Sequence, residues 1–193
     1  MQHPIPILIV EYDKNLLQKI KKRLTGEKRF SLVWTDPSSG IDPLQAAAFH
    51  DIRIAVVDID SGYSTEKLLD FARELRLKTC ARLLLISGSR SREQIVSAIR
   101  HCFACGYLFR SQIDSIADIL RSLLQEQTPH QYIMQELMLA VLTPAERSVL
   151  YALLEGSSDL KSSPKTLANQ RTSILHKLHL KSTQDLLHIF THY

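Results

Sequence analysis

Ile5-Pro6-Ile7-Leu8-Ile9-Val10-Glu11-Tyr12-Asp13 decides the fold. Six largely apolar residues, too short a run for an ordinary helix, lead straight into two acids flanking a tyrosine. A run without polar alternation suits a strand covered on both faces, as in a parallel sheet. Helical spacing follows at once, with Leu16, Leu17, Ile20 and Leu24 on one face. The unit then recurs. Phe30 to Thr35 reads as a strand, Pro37-Ser-Ser-Gly40 as a turn, and Ile54-Ala-Val-Val57 as a strand ending at Asp58. A helix from about Thr65 carries Leu68, Leu69, Ala72 and Leu75. Leu83-Leu-Leu-Ile86 is a fourth strand, before a helix through Ile95, Val96 and Ile99. Tyr107-Leu-Phe109 is the fifth, followed by an amphipathic face of Ile113, Ile116, Ala117, Leu120, Leu123 and Leu124.

Five strands separated by helices predict an α/β domain over residues 1–126, a doubly wound five-stranded parallel sheet. The functional crevice of such a sheet lies beyond the carboxyl ends of its strands. There the sequence places Glu11, Tyr12 and Asp13, then Asp58 and Asp60, Ser87, and Arg110. Acids, a hydroxyl and a cation converge.

Residues 125–135 are polar and include Pro129, so 127–141 reads as a linker. A second, smaller all-α domain is expected over 142–193. Thr143-Pro-Ala-Glu146 is a capping box with proline at the first helical position, and Gly156 is a stop signal. Ser163-Pro164 opens another helix, and Ser182 or Thr183 a last one containing Leu186, Leu187, Ile189 and Phe190.

Composition narrows the class. The 193 residues are 45% hydrophobic and 23% charged, as in an ordinary globular protein. No stretch approaches the roughly 20 apolar residues of a membrane span, and the N-terminus lacks signal-peptide character, so no membrane and a cytoplasmic location are expected. Three cysteines give no paired disulfide framework. Cys102-Phe-Ala-Cys105 has metal-like spacing, yet no second pair completes a zinc site, and core packing is the preferred reading. The histidines at 176, 179, 188 and 192 have no fixed ligand spacing. Residues 1–127 hold 18 Lys and Arg against 15 Asp and Glu; residues 128–193 hold 6 against 5. That second balance permits nucleic acid without announcing it. There is no nucleophile–base pair and no glycine-rich phosphate loop, so no enzyme is expected.

The N-terminal domain resembles the receiver of response regulators, a flavodoxin-like fold. Ile7-Leu-Ile-Val-Glu-Tyr-Asp13 sits where that family has a strand ending in an acidic pair. Val56-Val-Asp58 resembles the phospho-acceptor strand, with Asp58 the acceptor. Ser87 corresponds to the switch hydroxyl, and Gly106-Tyr-Leu-Phe-Arg110 to the family's Gly-Tyr-Leu-Leu-Lys, with Tyr107 the aromatic switch. The resemblance implies an acidic pocket of Glu11, Asp13 and Asp60, and a sensor kinase or other protein as partner. Two positions depart. Tyr12 replaces an acid that binds the metal, and Arg110 replaces the invariant lysine, exchanging a compact ammonium for a planar fork. These departures imply weak magnesium binding at Glu11 and Asp58, no required cofactor, and a degenerate receiver outside ordinary Mg-dependent phosphorylation. An Arg110–Asp58 ion pair locking the crevice is the favoured structural alternative.

The C-terminal segment resembles the LuxR-type helix-turn-helix of the NarL/FixJ family, through Leu142-Thr-Pro-Ala-Glu-Arg147 and Lys165-Thr-Leu-Ala-Asn-Gln-Arg-Thr-Ser-Ile-Leu-His-Lys-Leu178. Eight residues separate Gly156 from Lys165, too few for a two-turn positioning helix of about seven residues plus its turn. That helix is expected to shrink to one turn or vanish. Asn169 and Thr172 are the candidate base readers; Lys165, Gln170, Arg171 and Lys177 suit phosphates. The whole implies a dimeric, DNA-binding transcriptional regulator. The alternative is a protein-interaction regulator whose truncated motif has left DNA.

Overall fold

The computed structural model describes residues 3–35, 51–61, 64–125, 128–157 and 163–191. Five parallel strands, β1 (Ile5–Val10), β2 (Phe30–Thr35), β3 (Ile54–Asp58), β4 (Arg82–Ser87) and β5 (Gly106–Phe109), lie in the order β2-β1-β3-β4-β5. This is the flavodoxin-like order, and its switch point lies at β1 and β3. The expected turn at 37–40 lies outside the described residues.

Strand alternation explains why the runs are apolar throughout. Ile7, Ile9, Ile54, Val56, Leu84 and Ile86 point to one face. There they meet α1 (Lys14–Leu24) through Leu16, Ile20 and Leu24, and α4 (Ile116–Leu124) through Ile116, Leu120 and Leu123. Leu8, Val10, Ala55, Val57, Leu83 and Leu85 point the other way. They pack on α2 (Thr65–Lys78) and α3 (Arg92–Cys102) through Ala72, Leu75, Ala98 and Ile99. Both parities are buried over the middle of β1, β3 and β4, and polar side chains are pushed to the strand ends. A short 3-10 helix, Arg110–Ser115, joins β5 to α4.

The stretch expected to be a polar linker is mostly helix. Thr128 and Gln131 form a capping box around Pro129, starting α5 (Pro129–Leu139), and Met134, Met138 and Leu139 are buried. Then come α6 (Pro144–Glu155), α7 (Pro164–Lys177) and α8 (Thr183–Thr191). The α6 capping box of Thr143 and Glu146 and the left-handed Gly156 (φ 65°) stand where the sequence signals put them. Ser182 caps α8, its hydroxyl accepting from the Asp185 amide at 3.1 Å.

The helical domain is docked on α2 and α3, and one apolar core runs through both domains. Arg76 of α2 is wholly buried and donates Nη2 to the Ile189 carbonyl at 3.0 Å. Arg73 donates to the carbonyls of His101, Leu178 and His179, tying α3 to the end of α7. Arg100 Nε donates to the Leu137 carbonyl at 3.0 Å. Phe103 meets Phe190 edge-on, with ring centroids 6.5 Å apart.

Phe190→Ala empties the centre of this seam and is expected to cost about 3 kcal/mol in chemical denaturation. A loss below about 1 kcal/mol would show that the seam adds little to stability.

Candidate functional site

At the carboxyl ends of the strands Asp58 closes β3 with no side-chain exposure. Arg110, the first residue after β5, meets it with a two-pronged bond, Nε to Oδ2 at 2.7 Å and Nη2 to Oδ1 at 2.8 Å. The Asp60 amide adds a bond to Oδ1 at 2.9 Å. The hydrogen bond to Asp58 is the main cause holding Arg110's pKa above its ordinary value. Such forks are strong because both bonds are charge-assisted.

Glu11 is buried beside this pair. Burial chiefly, with Asp58 adding to it, lifts its carboxyl to about 8; the Asp13 amide bond and Arg110 oppose the rise. The Asp13 amide donates to Oε1 at 2.8 Å, and the buried Oε2 has no hydrogen-bond partner among the described residues. At neutral pH Glu11 is therefore an uncharged acid.

The expected acidic pocket separates into three roles. Glu11 is protonated. Asp13 faces its own helix, its Oδ1 accepting from the Asn15 amide at 2.8 Å and the Leu16 amide at 3.3 Å as the cap of α1. Asp60 turns toward β4, where Oδ2 accepts from Ser87 Oγ at 2.8 Å and from the Gly88 amide at 2.6 Å. Tyr107 lies half-buried beside Ser87, burial raising its pKa. Tyr12 packs against the apolar cluster on the α2–α3 side.

Magnesium seeks several hard anionic oxygens with octahedral access. The residues present do not fit it. Both Asp58 oxygens are held by a guanidinium, and position 12 is a phenol. Among the described residues no group of three or more His, Cys, Asp or Glu is placed to hold a metal. In this structure Asp58 is held in an ion pair with Arg110, with Glu11 buried beside it.

In the helical domain, Ser163 caps α7 and accepts from the Thr166 amide at 3.2 Å. Lys165, Asn169, Arg171 and Thr172 are exposed, and Gln170 is half-buried. Lys165, Asn169, Thr172 and His176 share one solvent-facing stripe, which the docked receiver-like domain leaves uncovered. Lys177 departs from expectation. Its Nζ is bound to Glu146 Oε2 at 2.7 Å, while Ser173 Oγ donates to Oε1 at 2.6 Å. Burial pushes Glu146 upward, but these bonds and those of Thr143 prevail and hold it at about 2. Lys177 is thus a tie between α6 and α7. The expected shortening of the positioning helix falls on 158–162, outside the described residues.

Cys102 and Cys105 are buried in separate clusters. Cys102 Sγ donates to the Leu69 carbonyl, and burial pushes its thiol to about 12, so it is inert. His188 Nε2 lies 2.9 Å from the Thr79 carbonyl, a seam contact. Sequence reasoning missed Arg73, Arg76 and the second role of Glu146, since only tertiary structure shows what a helix cation or capping acid meets across a gap.

Two outcomes follow. Glu11 has a folded pKa of about 8 against an ordinary value of 4.5, so the native state binds the extra proton between them. Stability should fall as pH rises through that window, by up to about 1 kcal/mol per pH unit. In Glu11→Gln denaturation should lose this slope; an unchanged slope would place the titration elsewhere. Incubation with a small phosphodonor and magnesium should leave the intact mass unchanged, because Arg110 already grips Asp58. A mostly phosphorylated population, lost in Asp58→Ala, would refute that.

No protein-family model matches the sequence, and no curated protein matches it. Solved structures do. The Salmonella typhimurium RcsB response regulator superposes with a TM-score of 0.52 at 17% identity, over 98% of this chain and 99% of that one. The signal receiver domain of an HD domain-containing protein from Pseudomonas fluorescens Pf-5 gives 0.53 at 20% identity, over 70% of this chain and 95% of that one. A response regulator from Thermotoga maritima gives 0.51 at 15%, over 62% and 96%. The chain is similar in fold to receiver-type response regulators, with a helical domain after the receiver-like one.

Proposed function

We propose that the chain is a DNA-binding transcriptional regulator, cytoplasmic, non-enzymatic and homodimeric. Its receiver-like domain is governed by contacts within the crevice in place of Mg-dependent phosphorylation of Asp58. The observation that carries this reading is the α7 stripe of Lys165, Asn169 and Thr172, exposed while the helix is anchored by its buried side and its C-terminal end. An anchored helix with an open polar face is what the major groove admits. The likeness to RcsB, studied for its DNA interaction, spans both domains and supports it. Dimerisation follows from geometry, because one short helix reads few bases and paired half-sites supply the rest. An upstream sensor kinase or another protein would then act through surfaces other than a labile phosphoryl group.

A second reading has its own observation. The charge of Lys177 is tied to Glu146, and Tyr132 and Ile133 on α5 are 53% and 66% exposed. Apolar exposure beside weak basicity favours a protein-interaction regulator that does not read DNA.

Titration of the purified chain against DNA over a range of salt separates the two. Asn169→Ala and Thr172→Ala should reduce discrimination between sequences by about 1–3 kcal/mol. Lys165→Ala and Arg171→Ala should weaken all DNA alike and reduce the salt slope by roughly one each. Lys177→Ala should instead lower folding stability by about 2 kcal/mol, since it leaves Glu146 buried without its cation. Absence of salt-dependent binding to any DNA by the wild-type protein would overturn the DNA reading in favour of the second.

A further inference from the structure

A cavity of about 360 Å³ opens on the seam between the two domains. Its size falls at the lower end of small-molecule sites, roughly 300–1,000 Å³. The receiver-like domain lines it with Arg73, Arg100 and His101, and the helical domain with Lys177 and His179. Phe103, Met138, Val141 and Leu178 form an apolar floor. One acid, Glu93, stands on the wall.

The cations are not alike. Lys177 is paired with Glu146, and His101 Nε2 lies 2.9 Å from Asp70. Arg73 and Arg100 have no carboxylate within ion-pair distance among the described residues, where their hydrogen bonds go to backbone carbonyls. A carbonyl carries only a partial charge, so each guanidinium keeps most of its own. Arg100 uses Nε alone, leaving both terminal nitrogens for a planar, two-oxygen partner. Arg73 is half-buried, and burial lowers its pKa against the opposing charges of Asp70 and Asp185. Protein groups that converge in this way, over an apolar floor, match a ligand with a dianionic head and an apolar body.

We propose that this cavity binds a small organic phosphomonoester of mononucleotide class, its phosphoryl group between Arg73 and Arg100 and its body against Val96 and Val141. Because both domains line it, the ligand binds only the docked arrangement and stabilises it by mass action. The site is separate from the Asp58 crevice and independent of whether the protein reads DNA.

Calorimetry and thermal melting of the full chain with adenosine monophosphate, inorganic phosphate and adenosine test this. The nucleotide should bind with unit stoichiometry and raise the melting temperature, inorganic phosphate should bind more weakly, and adenosine should not bind. Ser97 is an exposed residue of α3 on the cavity wall, so Ser97→Glu adds a negative charge without disturbing the core. Ser97→Glu and Arg100→Gln should each weaken nucleotide binding by about tenfold or more, with Ser97→Glu keeping the wild-type melting temperature in the absence of ligand. Failure of both the nucleotide and inorganic phosphate to bind would overturn the site. Binding undiminished in Ser97→Glu would do so too. Equal affinity for inorganic phosphate and the nucleotide would overturn the role of the apolar floor, and equal affinity for adenosine the role of the phosphoryl group.

Discussion

A carboxylate sealed from water must be neutralised where it stands, and at Asp58 the neutralising charge is the Arg110 fork. The other crevice contacts follow from that constraint. With the guanidinium lying across both oxygens, no room remains for a divalent cation. Glu11 alongside is pushed toward its neutral form, by burial chiefly and by the charge of Asp58 in addition. Asp60, not needed as a ligand, is free to accept from Ser87 and Gly88. The crevice thus joins Asp58 to Arg110 and Asp60 to Ser87 through direct hydrogen bonds.

The same rule operates at the seam. Arg76 is buried, and the Ile189 and Ala81 carbonyls accept protons from it. Carbonyls that end a helix have lost their intrahelical donors, so a guanidinium reaching them answers two needs together. The α8 end is held by Arg76, and the turn after α7 by Arg73. Orientation of α7 is set from behind, by cations on the receiver-like domain, while its polar stripe looks outward.

Much of this was legible in the sequence because it is local chemistry. Apolar runs, helical spacing, the Thr143–Glu146 box and Gly156 each act within a few residues, and the elements lie within a residue or so of where they were read. The Arg110–Asp58 pair was legible as well, since two fold positions known to face each other carried opposite charges. Thr128-Pro129 with Gln131 is the same signature as Thr143-Pro144 with Glu146, but its polar setting concealed it, and a helix was read as a linker. Asp13 joined the crevice in sequence because it is acidic and adjacent; in structure the two nearest free helix amides claim it. Lys177 was assigned by charge alone, and charge does not say which neighbour a side chain finds.

The continuous core has a consequence for how the molecule divides. By sequence the chain separates near residue 127 into two modules. By packing, Leu139, Ile189 and Phe190 belong to the same apolar body as the β4 side chains. Cutting at the sequence boundary would leave Arg76 facing water without its Ile189 acceptor and strip the cover from Phe103. The two halves are thus not interchangeable cartridges. A different output domain fitted to this receiver-like half would need its own carbonyls and aromatic ring at the same places.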